Sequence, residues 1–158
     1  MAALHDRFTL ERRYPHDRER LFAALSDPAI KQRWHASPSN EVLGLVSDFR
    51  VGGTDRQRYA LGPDTPFPGL VLENEGRFED IVDGERIVVT TTMTFGGRRI
   101  STALLTFELA DDGDAGSTLT FTHQAAFYEG ADGPEMRRAG WDKMLDALAR
   151  SLAQEPTA

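Results

Sequence analysis

Three polar side chains occupy positions where the sequence pattern otherwise places apolar ones. In two predicted strands, alternation puts Asn74 and His123 on the same faces as leucine and phenylalanine side chains. A buried polar group without a hydrogen-bond partner costs about 1–3 kcal/mol, so each needs a partner from the protein, water or a ligand. Arg137 lies one turn before Trp141 on a predicted helix, where it could reach the mouth of an interior gap. These groups could bind the polar end of an otherwise apolar small molecule.

Each of these residues also has a purely structural interpretation. Asn74 and His123 could bond backbone groups or ordered water inside a core. Arg137 could extend its guanidinium group to solvent. His123 could alternatively serve as a general base. The residues alone leave these alternatives open.

Large apolar side chains supply the remaining candidates for a ligand site. Strand alternation and helical periodicity place them on faces that meet across one interior. Their aromatic rings and thioethers could contact a ligand, and each also suits ordinary core packing. The full set of predicted ligand-binding residues is Trp34, Asn74, Phe78, Met93, Phe95, Phe121, His123, Arg137, Trp141, Met144 and Leu145.

The order of predicted elements indicates how these side chains are positioned. A strand over 7–14 precedes two short helices, which Asp17 and Asp27-Pro28 begin. Regularly spaced turns then predict an antiparallel meander. The strands of this meander cover 42–49, 55–61, 70–81, 86–95, 98–109 and 117–124. The pattern predicts an α+β fold with its helices on one side of an antiparallel sheet of six or seven strands.

One long amphipathic helix opens near Glu135 and carries Gly140-Trp141. Gly140 costs this helix about 1 kcal/mol relative to alanine. A close approach of helix to sheet would account for the glycine. The gap between this helix and the sheet is either filled by side chains or left open for a ligand.

Composition limits the classes of function. The chain has 158 residues, no cysteine and a net charge of −7. We expect a single domain over 1–158, with a flexible tail over 154–158. The acidic balance argues against nucleic acid as a partner, and no apolar run suits a secretory signal or a membrane span. We therefore expect a cytoplasmic protein, with a homodimer possible.

Motifs for several common chemistries are missing. Neither Gly52-Gly53 nor Gly96-Gly97 continues into a phosphate-binding loop, and no dinucleotide fingerprint or nucleophile elbow occurs. The four histidines show no metal-ligand spacing. We expect no cofactor and no metal, and we regard an enzyme as less favoured than a binding protein.

Several short segments, in this order, resemble a known family. They are Pro15 to Asp27-Pro28 with Trp34, Asp48-Phe49-Arg50-Val51-Gly52-Gly53, Gly76-Arg77-Phe78-Glu79-Asp80-Ile81, Glu85-Arg86-Ile87, Thr118-Leu119-Thr120-Phe121-Thr122-His123 and Gly140-Trp141. The chain resembles, from Phe8 to Leu152, the activator of Hsp ATPase homologue group of the START/polyketide-cyclase/Bet v allergen-like (SRPBCC) superfamily. The resemblance implies a helix-grip fold, in which a curved antiparallel sheet wraps around the C-terminal helix and leaves a cavity between them. It also implies that many relatives bind small hydrophobic molecules, whereas others bind proteins.

Three functional hypotheses follow. The first is a protein that binds a small apolar or aromatic molecule, with Asn74 or His123 orienting its polar end. The second is an enzyme of cyclase, aromatase or hydrolase type that uses His123 as its base. The third is a chaperone-regulating or dimerising module that acts through its exposed sheet.

Overall fold

The structure, a computed structural model, describes residues 2–35 and 39–154. Part of the predicted C-terminal tail lies outside these residues, although Gln154 itself is helical. The described elements, in chain order, are β1 (Leu4–Tyr14), α1 (Arg18–Ser26), α2 (Pro28–His35), β2 (Glu41–Ser47), β3 (Thr54–Ala60), β4 (Val71–Val82), β5 (Arg86–Phe95), β6 (Arg98–Asp112), β7 (Gly116–Phe127) and α3 (Pro134–Gln154).

A curved antiparallel sheet holds all seven of these strands, in the order β1-β7-β6-β5-β4-β3-β2. β2 to β7 form the predicted meander, and β1 pairs along its whole length with β7, from Leu4 opposite Phe127 to Tyr14 opposite Ser117. The predicted fold class and order of elements are confirmed. The main differences are at strand ends, because pairing with a neighbour extends β1, β6 and β7 beyond the residues whose alternation is clear.

Three register shifts interrupt this sheet. In β2, β4 and β6 one extra residue, respectively Leu43, Glu79 and Ile100, enters a strand without a partner of its own. Such bulges bend a strand and increase its local twist. β2 and β4 lie on the side of the sheet away from β1, whereas β6 is the third strand from β1. The three bulges together help the sheet to curve around the helices.

The two short helices begin as the sequence predicts. The Asp17 carboxylate accepts a hydrogen bond from the Arg20 backbone N–H at 2.8 Å, and the Asp27 carboxylate accepts one from that of Ala29 at 2.9 Å. The indole N–H of Trp34 donates to the Ala24 carbonyl at 2.9 Å, which joins α2 to α1. These bonds fix the starts of both helices and the position of α2 against α1.

The long helix α3 is fixed to the sheet by one apolar stripe. Trp141 is buried, and Leu145, Leu148 and Leu152 are fully buried, which stabilises the fold by about 1.5–3 kcal/mol for each leucine. The Tyr14 hydroxyl donates to the Leu145 carbonyl at 3.3 Å, so β1 holds the middle of the helix as well. This stripe sets which side of α3 faces the rest of the interior.

Gly140 does not mark a close contact, so the reason expected from the sequence is wrong. Gly140 is exposed, and an added Cβ would meet no atom within 4 Å apart from its neighbours and its own helix. We predict that Gly140→Ala raises the free energy of unfolding by up to about 1 kcal/mol, because alanine loses less backbone entropy in a helix. Urea unfolding of the variant and the parent protein measures the difference.

Gly53→Ala is the matched control for this substitution. A Cβ at Gly53 would lie 1.9 Å from the Asp48 carbonyl oxygen, so the same chemical change should destabilise the protein strongly. A loss of stability in Gly140→Ala would contradict the open environment of that position.

Candidate functional site

A cavity of about 670 Å³ is lined by α1, α2, α3 and the inner faces of β3 to β7. This volume lies within the range of roughly 300–1,000 Å³ that is usual for small-molecule sites. Its wall is mainly apolar on the sheet side. The apolar residues from the strands are Leu72, Phe78, Ile87, Val89, Met93, Phe95, Ile100, Leu105 and Phe107.

Most of the predicted ligand-binding residues line this cavity. They are Trp34, Asn74, Phe78, Met93, Phe95, His123, Arg137, Trp141 and Met144. Phe121 and Leu145 are not among the lining residues, because both lie fully buried in the core. The Phe121 ring is centred 4.2 Å from that of Trp141, so it supports the wall without forming it.

Arg137 is buried and does not extend to solvent, although the sequence left that alternative open. Its Nε and Nη2 atoms donate to the two Asp132 carboxylate oxygens at 2.9 and 2.8 Å, and Nη2 also donates to the Ser101 hydroxyl at 2.9 Å. The guanidinium carbon lies 4.9 Å from the centre of the Phe127 ring. The arginine is therefore a fixed part of the wall.

His123 is 1% exposed and sits between Arg137 and an aromatic ring. Its Nε2 lies 3.4 Å from Arg137 Nη1, and its ring stacks on Phe8 at 4.6 Å. Because a guanidinium group only donates, Nε2 must be the acceptor. The neutral imidazole then carries its proton on Nδ1, which is buried and has no partner among the described residues.

Burial is the main cause that lowers the pKa of His123, to about 4, and the positive charge of Arg137 adds to it. The side chain is thus neutral at physiological pH and a weak base. Its one available lone pair points at Arg137. Both features make it a poorer general base than the sequence alone suggested.

The bulge in β6 explains why Ile100 lines the cavity beside Ser101. Ile100 is the extra residue, and both Ile100 and its neighbour Ser101 are buried and line the cavity. Strict alternation would send consecutive residues to opposite faces. Alternation along this strand groups Ser101 with Ala103 and Leu105 but leaves Ile100 on the other face, so the sequence pattern does not predict Ile100 in the wall.

A second polar cluster lies where α2 meets β3. The Lys31 ammonium group donates to both Asp55 carboxylate oxygens at 3.0 Å, and the Gln57 amide donates to one of them at 2.8 Å. All three residues are buried and line the cavity. The charges of this ion pair cancel inside the wall.

His35 and Tyr59 form a short hydrogen bond beside this cluster. The Nδ1 atom of His35 lies 2.6 Å from the Tyr59 hydroxyl oxygen. Burial, followed by the charge of Lys31, lowers the pKa of His35 to about 3. Burial, followed by the charge of Asp55, raises the pKa of the Tyr59 hydroxyl. Both side chains are therefore uncharged at neutral pH.

Asn74 differs from these groups because it is only half-buried. It lies on β4 opposite Met93, and both residues line the cavity. Its amide makes no hydrogen bond to another described side chain or backbone group. Among the predicted polar residues, it has the most hydrogen-bonding capacity left for a molecule in the cavity.

The second cluster was missed by the sequence reasoning, although weak signals for it exist. Asp55, Gln57 and Tyr59 alternate along β3, and Lys31 precedes Trp34 by three residues on α2. Period-2 and helical spacing would have placed each set on one face. β3 has a polar residue at nearly every position, however, so no apolar side indicated which face was inside.

The two histidines of the cavity wall, His35 and His123, predict acid sensitivity. Folding holds His123 neutral down to a pKa of about 4, whereas the unfolded chain takes up a proton near pH 6.5. The unfolded state therefore binds more protons between these values. Lowering the pH through this window should reduce the free energy of unfolding by roughly 3 kcal/mol from this residue alone. Urea unfolding at stepped pH measures the loss.

His123→Asn should make this loss smaller without abolishing it, because His35 acts in the same direction. His5→Asn is the control, since His5 is exposed near the start of β1. An unchanged pH dependence in His123→Asn would contradict the assigned environment. Direct titration of the imidazole signals by NMR gives an independent measurement.

The Lys31–Asp55 pair predicts a large difference between two aspartates. Asp55→Asn leaves the Lys31 charge buried without its partner and should reduce the free energy of unfolding by about 3 kcal/mol. Asp48→Asn is the control, because Asp48 pairs with Arg50 at an exposed position. That change should cost less than about 1 kcal/mol. Equal effects would contradict the burial of the inner pair.

Comparisons with known proteins place the whole chain among similar folds. The Mll3558 protein of Rhizobium loti has a solved structure with 36% sequence identity and a TM-score of 0.85; the match covers 96% of this chain and 99% of that chain. A putative uncharacterized protein from Rhizobium leguminosarum is 31% identical with a TM-score of 0.88 and 98% coverage of both chains. The AHSA1 protein of Silicibacter pomeroyi, at 22% identity and a TM-score of 0.76 over 96% of this chain and 100% of that chain, shares the fold.

Two further comparisons, with curated proteins and with family models, concern the family to which the chain belongs. A search of curated proteins finds no match. Within the described residues, no helix combines the length and apolar character that crossing a membrane requires. The family model for the activator of Hsp90 ATPase homolog 1-like protein matches residues 15–153. The chain therefore belongs to the activator of Hsp90 ATPase homolog 1-like family.

Proposed function

We propose that this protein binds a small, mainly apolar or aromatic molecule in the cavity beside α3. The observation that carries the proposal is a space of about 670 Å³ with an apolar floor and a few fixed polar groups at its sides. This combination is typical of small-molecule sites. The aromatic walls, among them Trp141, Phe78 and Phe95, suit a flat or ring-containing ligand.

Apolar burial would supply most of the affinity. Burying about 200 Å² of ligand surface at about 25 cal/mol per Å² gives roughly 5 kcal/mol before entropic losses. The wall needs little reorganisation, because its arginine and lysine are already held by carboxylates and Trp34 by a carbonyl. A pre-organised wall reduces the entropic cost of binding.

Binding is favoured over catalysis by the state of His123. Its accessible lone pair already faces Arg137, and its pKa of about 4 makes it a weak base. A role through the outer face of the sheet is less favoured, because ion pairs such as Arg56–Glu73 and Arg58–Glu73 make that face polar.

A cavity-filling substitution tests the proposal. Thr91 lies on β5 and lines the cavity, so Thr91→Phe should occupy part of the space where the ligand would lie. We predict that this change weakens binding of the neutral fluorescent probe N-phenyl-1-naphthylamine at least tenfold. Titration of the probe, followed by its fluorescence, measures the effect.

Thr92→Phe is the matched control, because Thr92 is the next residue of the same strand and does not line the cavity. This variant should bind the probe as the parent protein does. Equal binding by both variants, or no binding by the parent, would overturn the proposed function. Native mass spectrometry of the purified protein then identifies any molecule that it retains.

A further inference from the structure

The buried charges of the cavity wall cancel in pairs. Arg137 lies against Asp132 with Nη2 to carboxylate oxygen at 2.8 Å, and Lys31 lies against Asp55 at 3.0 Å. The side chains of Arg137, Lys31 and Asp55 are nine-tenths or more buried, and that of Asp132 is 26% exposed. Among the described residues, the wall therefore offers a negatively charged ligand no buried cation without a carboxylate partner.

The other titratable groups of the wall do not change this balance. His35 and His123 are neutral at physiological pH, because burial lowers the pKa of each. Lys143, Asp146 and Arg150 also border the cavity, but all three are exposed on α3. Water and salt screen exposed charges strongly, so they contribute little inside the cavity.

A hydrogen-bond donor nevertheless remains in the wall. A guanidinium group has five N–H donors. In Arg137 two of them meet Asp132, one meets Ser101 and one meets His123. The fifth, on Nη1, has no partner among the described residues. An oxygen acceptor on a ligand could complete this set.

Charge and hydrogen bonding together define a ligand class. An anion would lose its hydration on entering the cavity and would find Asp132 and Asp55 already bound to both buried cations. A buried charge without such compensation is costly. An uncharged carbonyl or hydroxyl oxygen would lose less hydration and could still accept from Arg137. This reasoning rests on the proposed function, since it concerns the same cavity.

We propose that the cavity selects an uncharged apolar molecule that carries an oxygen acceptor, and that it discriminates against the corresponding carboxylate. The carboxylates of Asp132 and Asp55 produce this selectivity, because they neutralise the two cations that would otherwise attract an acid. Fatty acids and aromatic acids are therefore poor ligands, and ketones, esters, phenols and alcohols of similar size are good ones.

Two compounds of equal shape test the selectivity on the unmodified protein. 2-Acetylnaphthalene is a neutral ketone, and 2-naphthoate is the carboxylate of the same ring system. Each is titrated as a competitor against bound N-phenyl-1-naphthylamine at neutral pH. The ketone should displace the probe at a concentration at least tenfold lower than the carboxylate.

Asp132→Asn tests the cause of the selectivity. This substitution leaves the positive charge of Arg137 without its carboxylate partner. The ratio of the 2-naphthoate concentration to the ketone concentration that displaces the probe should therefore fall at least threefold. Asp142→Asn is the matched control, because Asp142 lies on α3, pairs with Arg12 at 2.6 Å and does not line the cavity. It makes the same change in net charge and should leave the ratio unaltered.

The outcomes separate the two proposals. If the probe binds and Thr91→Phe abolishes the binding, but 2-naphthoate competes as well as the ketone, the inference about charge is overturned and the binding function stands. If the probe does not bind to the parent protein, the binding function itself fails. Should Asp132→Asn not fold, the ratio measured on the parent protein still decides the inference.

Discussion

The rotational setting of α3 on the sheet is the constraint on which the cavity depends. Successive residues of a helix are about 100° apart, so Trp141, Leu145, Leu148 and Leu152 form one stripe. This stripe is buried in the core, where Tyr14 on β1 holds it. Trp141 also borders the cavity, and the neighbouring stripe, which includes Gly140, Met144 and Ala147, faces it. A helix turned to place both stripes against the sheet would close the space.

The shape of the cavity also depends on the curvature of the sheet. Bulges at Leu43, Glu79 and Ile100 bend β2, β4 and β6, and α2 contacts β2 at the edge of the sheet opposite β1. The long helix α3 contacts the sheet at β1, β7 and β6, and the cavity separates it from β3 to β5. At Ile100 the bulge also adds an apolar side chain to the cavity wall beside Ser101, whose hydroxyl accepts a hydrogen bond from Arg137.

The sequence allowed the order of elements, the antiparallel meander and most apolar wall residues to be predicted, because alternation and helical spacing are local signals. It did not allow the bulges to be predicted, and Ile100 was missed for that reason. Whether a buried residue lines the cavity or packs behind a lining residue also depends on tertiary packing. Phe121 shares a strand face with His123, yet it packs behind Trp141 and does not line the cavity. The predicted reason for Gly140 failed because helix rotation is not a local property.

The contribution of the paired charges to folding stability does not by itself explain why they lie in the cavity wall. A buried ion pair is often no more stabilising than apolar side chains of similar volume, because each charge loses its hydration. This protein holds two such pairs, Arg137–Asp132 and Lys31–Asp55, against the same cavity. Apolar replacements would close the wall equally well but would remove its directed donors. Both pairs present fixed hydrogen-bonding groups to the cavity in a net-neutral wall, which agrees with the ligand class proposed above.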